Sequence, residues 1–270
     1  MGSIMKLDEY KNWLILKGNS EKTIENYLCK VAKFLEFLKD KQINQKNVNE
    51  FFLDLKNKIS DSSFNNYRMI IKSYLFFKQL KIAIPPKVKT KRKIPKTITL
   101  EYFEKEIIPT IQVLKKNSLQ IKAILYFMFF TGIRVGEIDY LKREHINLTR
   151  CIAKIYGKKT KEEREVIFSD KTRDILEAYF SSEPETINAF NMTSKAIQKM
   201  FERLKSYFKK DINFNPHLLR HSFGRYMISK GIDSEELRKL MGHSDIKTTQ
   251  IYLSSIGIED IKKKYDKLIN

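Results

Sequence analysis

Asn215-Pro216-His217-Leu218-Leu219-Arg220, followed by Gly242-His243 and by Thr248-Thr249-Gln250-Ile251-Tyr252, is the stretch on which the reading of this chain turns. Asn215 suits a helix N-cap, because its short side chain accepts a hydrogen bond from the first turn. Pro216 suits the first helical position, where no N–H is needed. His217 and Arg220 then fall on one helix face. Asp233 or Ser234 caps the next helix, and Gly242 ends it, since glycine tolerates the left-handed turn at a helix C-terminus. His243 is thereby presented at a helix end, and Tyr252 stands nine residues later, in a short helix begun by Ser244 or Asp245.

Each residue alone has an ordinary explanation. A single histidine beside an apolar face is usually structural, as His145 and His221 are read here, and Tyr252 is one of thirteen tyrosines. His217 and His221 stand at zinc-ligand spacing, yet no glutamate lies between them and no third ligand is evident, so no metal is expected.

Together the residues say more. The second box, with 26 residues between His217 and His243 and nine from His243 to Tyr252, resembles that of the tyrosine recombinase (phage integrase) family, in its Xer-like branch. Upstream, Thr131-Gly132-Ile133-Arg134-Val135-Gly136-Glu137 resembles the family's first box, in which an arginine opens a helix. Gly157-Lys158, in a turn 24 residues after Arg134, matches the place of its catalytic lysine. The resemblance implies a site-specific recombinase that cuts and rejoins DNA through a 3′-phosphotyrosyl intermediate and a Holliday junction, without metal, ATP or other cofactor.

The chemistry explains these residue types. Phosphodiester exchange passes through a five-coordinate phosphorus with extra negative charge, which fixed cations and donors must meet. Arg134 and Arg220 offer planar, permanently charged contacts to phosphate oxygens, and His243 a further donor. Tyr252 is the nucleophile, and its phosphate link stores the energy of the broken bond for religation. By resemblance Lys158 protonates the departing 5′ oxygen, with Lys159 and Lys161 as close alternatives. His217 accepts or shares the proton of Tyr252, or holds the phosphate, and Glu137 orients its neighbours.

Composition agrees. The chain has 270 residues, 42% of them apolar, enough for real cores, and no apolar run nears the roughly 18 to 20 residues that cross a bilayer. Met1-Gly2-Ser3 reads as an expression remnant. Two separated cysteines, Cys29 and Cys151, point to a reducing compartment, hence the cytoplasm. The net charge of +20, from 52 basic and 32 acidic residues, attracts polyanions, of which nucleic acid is the commonest in that compartment.

Residues 4–84 read as a helical, core-binding domain, with amphipathic stretches from Ser20 to Leu38, capped by Asn19 or Ser20, and from Ser62 to Leu80. Phe64, Tyr67, Tyr74, Phe76 and Phe77 are expected in its core. Residues 85–98 form a linker with three of the six prolines and, from Lys87 to Lys96, six basic residues and no acid. Residues 99–270 form the catalytic domain. Leu100 to Lys116 and Leu119 to Gly132 read as helices, and Ile146 to Leu148, Cys151 to Tyr156 and Glu165 to Phe168 as strands. The fold class is mainly α with a small antiparallel sheet.

Polar helix faces nominate Asn26, Lys30, Lys33, Asn65, Arg68 and Lys72 as phosphate contacts, joined by Lys91, Arg92 and Lys93 of the linker. The expected partners are duplex DNA with a short inverted-repeat core site, three further copies in a tetramer on two duplexes, and an accessory protein in some settings. In the tail, 257–270, Ile258, Ile261, Tyr265 and Leu268 recur at helical spacing. This stripe packs on its own domain or, as the resemblance implies, on a neighbouring subunit. Dimer resolution and mobile-element integration both fit. A type IB topoisomerase, a DNA-binding regulator without catalysis and a metal-dependent nuclease are the rival readings.

Overall fold

A computed structural model describes residues 2–39, 41–90, 95–112, 117–157, 162–183, 186–208, 212–243 and 246–253. The chain divides into two compact units, Met1–Arg92 and Lys93–Asn270.

The first unit is built from helices α1 (Gly2–Leu16), α2 (Glu21–Leu38), α3 (Gln45–Lys56) and α4 (Asp61–Phe77). α1 begins inside the segment read as a remnant. Ser20, Asn44 and Ser60 cap α2, α3 and α4, each accepting from the backbone N–H three residues on. Each helix buries one stripe. Val31, Phe34, Val48, Phe51, Ile70 and Ile71 meet in a shared core, where Phe34 and Phe51 stand edge to face with centroids 4.9 Å apart. Phe64, Tyr67 and Tyr74 are in this core, but Phe76 is 69% exposed: it falls on the outer face of α4, where Lys17 lies over its ring.

The segment after α4 is strapped to this unit. Gln45 both donates to and accepts from the backbone of Ala83 at 2.9 Å, Asn65 does the same with Val88 at 2.8 and 3.0 Å, and Arg68 donates to the Pro85 carbonyl. Asn65 and Arg68 therefore serve backbone groups that Pro85 and Pro86 keep out of regular structure.

In the second unit the stretch expected as one helix from Leu100 is a short α5 (Leu100–Tyr102), a π turn (Phe103–Ile107) and α6 (Ile108–Gln112). α7 (Ser118–Thr131) is the central helix: all of Ala123 to Phe129 is buried, because other elements surround it on every side. The helix expected after Arg134 is a 3-10 helix, Val135–Tyr140, followed by another, Arg143–His145. Strands β1 (Ile146–Asn147), β2 (Ile152–Gly157) and β3 (Glu162–Ile167) form an antiparallel sheet in that order. β3 begins three residues before the expected start, pairing Glu162 with Gly157.

Helices α8 (Asp170–Ser182), α9 (Ser194–Lys205), α10 (Pro216–Ser229), α11 (Ser234–Met241) and α12 (Ile246–Leu253) complete the described residues. The main core joins α7, α8, α9 and the sheet. A smaller one, of Phe223, Ile228, Leu237, Met241 and Tyr252, ties α10, α11 and α12 together. The chain is mainly helical with a small antiparallel sheet, and no described helix is long and apolar enough to cross a membrane.

Candidate active site

The caps read from sequence place the site. Asn215 caps α10 by accepting from Leu218 N at 3.0 Å, with Pro216 behind it. Asp233 caps α11, and Gly242 ends it at φ 62°, the left-handed turn for which glycine is suited. This turn sets Met241 and Gly242 carbonyls, at the partly negative end of α11, toward the arginines.

Arg220 is 5% exposed. Its Nη1 donates to the Gly132 carbonyl at 2.5 Å and its Nη2 to the Met241 carbonyl at 2.7 Å, so two helix C-termini hold one guanidinium. Burial, reinforced by the Arg134 charge, pushes it down to about 9. Gly132 has φ 61° and lies under Phe223, whose ring would meet an added Cβ at 2.2 Å. Here no larger residue fits either the backbone or the space.

Arg134 is the more open cation, its side chain 40% exposed. Nη1 donates to Glu137 Oε1 at 3.0 Å and Nη2 to the Gly242 carbonyl at 2.8 Å, while the Arg134 backbone N–H donates to Glu137 Oε2 at 2.8 Å. Glu137 is buried and also takes both Nη groups of Arg164, at 2.9 and 2.8 Å. Burial raises its carboxyl, but the Arg164 and Arg134 contacts outweigh that and hold it below the usual range.

Tyr252 is buried to 2%, its ring lying on Gly224 of α10, where an added Cβ would come 2.8 Å from ring atoms. His243 stacks on it with centroids 6.3 Å apart, and His243 Nδ1 is 2.8 Å from Thr249 Oγ1. Burial and then the Arg220, Arg134 and Arg164 charges push His243 down to about 3, so it is a neutral imidazole at physiological pH. Burial raises the Tyr252 phenol, and the two arginines Arg220 and Arg134 pull the other way.

The imidazole at the phenol is not that of His217. His221 Nδ1 lies 3.0 Å from the Tyr252 hydroxyl, a contact that the sequence did not lead one to expect. The i, i+4 spacing puts His217 and His221 on one face with ring centroids 6.5 Å apart, and His217 is exposed. Both are lowered: His221 by burial, then by His217 and Arg220, and His217, although exposed as a residue, by partial desolvation of its ring, then by Arg220 and Arg134. The signal for His221 was its adjacency to Arg220, which the sequence showed without showing that α12 would return to it.

Arg134, Glu137, His217, Arg220, His243 and Tyr252 are thus gathered. Lys158, Lys159 and Lys161 lie outside the described residues, as do Lys91, Arg92, Lys93 and the tail 257–270. Of the expected phosphate contacts, Lys33 and Lys72 are exposed, Lys30 donates to Asn26 and sits over the Tyr67 ring, and Asn65 and Arg68 are engaged by the strap. His145 caps a turn by accepting from Lys142 N. No group of three metal-ligating side chains occurs among the described residues.

Residues 101–256 match the phage integrase family, and residues 7–81 match the phage integrase N-terminal SAM-like domain. The XerA tyrosine recombinase of Thermococcus kodakarensis is 28% identical over 97% of this chain and 94% of its own length. That of Pyrococcus furiosus is 30% identical over 91% and 88%. Among solved structures, a Tn1549 transposon integrase in complex with circular intermediate DNA superposes with a TM-score of 0.72 at 17% identity, over 97% of this chain and 99% of that one. The chain belongs to the phage integrase family of tyrosine recombinases, enzymes that cleave and rejoin DNA.

Proposed function

We propose that this protein is a site-specific recombinase in which Tyr252 attacks a phosphodiester of duplex DNA to form a 3′-phosphotyrosyl bond. The observation that carries this reading is the Tyr252 hydroxyl resting on His221 in the field of two arginines, one of them 5% exposed. Oη forms a bond to phosphorus as the bond to the 5′ oxygen breaks, and its proton passes to His221 Nδ1. An approaching phosphate anion offsets the positive field of Arg220 and Arg134 at His217 and of Arg220 at His221, which makes both better bases as the substrate arrives. Arg134 and Arg220 meet the charge on the equatorial oxygens, and His243, if Thr249 donates to its Nδ1, donates from Nε2. Lys158 gives the 5′ oxygen its proton. The bond energy is kept in the adduct, so religation needs no ATP.

The DNA-bound integrase supports a DNA partner. On this reading the partner is duplex DNA with a short inverted-repeat core, four copies act on two duplexes through a Holliday junction, and the setting is cytoplasmic. Dimer resolution or movement of a mobile element is the biological role, with an accessory protein where one is needed. Plasmids carrying two core sites test this: exchange of flanking DNA in EDTA without ATP is expected, whereas relaxation of supercoils alone would make the protein a topoisomerase.

A further inference from the structure

Arg164, on β3, belongs to no motif that the sequence offered, yet it touches both groups that hold Arg134. Its Nη1 and Nη2 grip the two oxygens of Glu137 at 2.9 and 2.8 Å, and its Nε donates to the Leu240 carbonyl at 2.9 Å, in the last turn of α11. Its Nη1 and Cδ also lie against Gly242, at 2.9 and 3.0 Å from where a Cβ would stand. Glu137 and the Gly242 carbonyl are the two acceptors of the Arg134 guanidinium. Arg164 is itself 13% exposed, and Glu137 4%, so water is largely kept from the bridge.

We infer that Arg164 is a positioning residue for the cleavage reaction: by occupying both oxygens of Glu137 it limits that carboxylate to a single side-chain contact with Arg134 and keeps the Arg134 charge available to the phosphate. The charges explain why. One carboxylate stands among three arginines, and a guanidinium competes for it best when it binds in parallel through both Nη groups. With Arg164 in that place, Arg134 takes one oxygen edge and one carbonyl and stays 40% exposed. Without it, Glu137 has Arg134 as its remaining side-chain cation in these contacts, and the bidentate pair that forms between them withdraws charge from the substrate. Lysine is a point charge without a fork, so Arg164→Lys keeps the ion pair and frees one oxygen.

This inference rests on the reading of Arg134 as a phosphate partner, and the test separates the two. Single-turnover cleavage is measured on a nicked duplex bearing either the ordinary scissile phosphate or a methylphosphonate, which has no charge to neutralise. Arg134→Ala is the control: a large loss on phosphate and a small one on methylphosphonate is expected, and equal losses would remove Arg134 from the phosphate and the role of Arg164 with it. With that control in place, Arg164→Lys is expected to lose about 100-fold on phosphate and less than about tenfold on methylphosphonate. Glu137→Gln added to Arg164→Lys should recover at least about tenfold, since a neutral amide does not capture the Arg134 charge. Equal losses by Arg164→Lys on both substrates, or a deeper defect in the double variant, would leave Arg164 as a fold-stabilising residue and overturn the proposal.

Discussion

The hydroxyl of Tyr252 lies 3.0 Å from Nδ1 of His221, on a helix 31 residues earlier in the chain. In the proposed reaction this contact passes the Tyr252 proton to a histidine that follows Arg220 directly. His221→Asn should therefore slow formation of the covalent adduct by about 100-fold, the scale of one acid–base group. His217→Asn should keep the acid limb of the rate–pH profile and move its midpoint upward, because burial, the His217 charge and Arg220 lower His221 and the variant removes the second of these. Rapid-quench cleavage between pH 4.5 and 8 checks this; loss of the limb in the His217 variant would reverse the assignment.

The glycines under the site give a stability prediction. Gly224→Ala brings a methyl 2.8 Å from the Tyr252 ring, so α12 must shift; a loss of about 1–3 kcal/mol is expected. Hydrogen exchange should quicken in residues 246–253 before the rest of α10. Unchanged exchange there would mean that the ring does not rest on Gly224.

Acid should weaken the catalytic unit. His243, lowered to about 3, stays neutral in the fold at pH values where the unfolded chain binds a proton, so the unfolded state takes up more protons between about 6.5 and about 3. Stability is complete above 6.5 and falls with pH through that window, by about 1.4 kcal/mol per pH unit for each such proton. His217, His221 and Glu137 add in the same direction. Urea titrations at pH 7, 6 and 5 should show the fall, and His243→Asn should make it shallower; an identical slope would mean that His243 is protonated in the fold.

Local rules made much of the chain legible and distant contacts did not. The caps at Ser20, Asn215 and Asp233, and the turn at Gly242, were readable because each depends on a few neighbouring residues. The gathering of Arg134, Arg220, His243 and Tyr252 was legible through family resemblance. The π turn at Phe103–Ile107 was read as part of one helix, since apolar spacing hardly separates four from five residues per turn, while the helix expected after Arg134 came from the resemblance and is a 3-10 helix. The start of β3 was missed because Arg164 points inward as a polar residue, held by a glutamate 27 positions away. Asn65 and Arg68 looked like phosphate ligands, as polar residues on a helix do, until the strap at 83–88 took them.

That distinction is measurable on DNA. Lys33→Ala and Lys72→Ala, both at exposed positions, should each lower the slope of log affinity against log salt by roughly 0.9 if the side chain meets a phosphate. Asn65→Ala should leave the slope alone and speed exchange at Val88, whose N–H it holds. The reverse pattern would restore Asn65 to the interface.

Tyr252 is the residue proposed to form the bond to DNA. A nicked suicide duplex, whose cleaved fragment diffuses away, should trap the unmutated protein as a covalent adduct in EDTA. Tyr252→Phe removes only the nucleophilic oxygen, so it should bind the same duplex with nearly unchanged affinity and give no adduct. An undiminished adduct from Tyr252→Phe, resolved on a denaturing gel, would mean that another residue attacks the DNA.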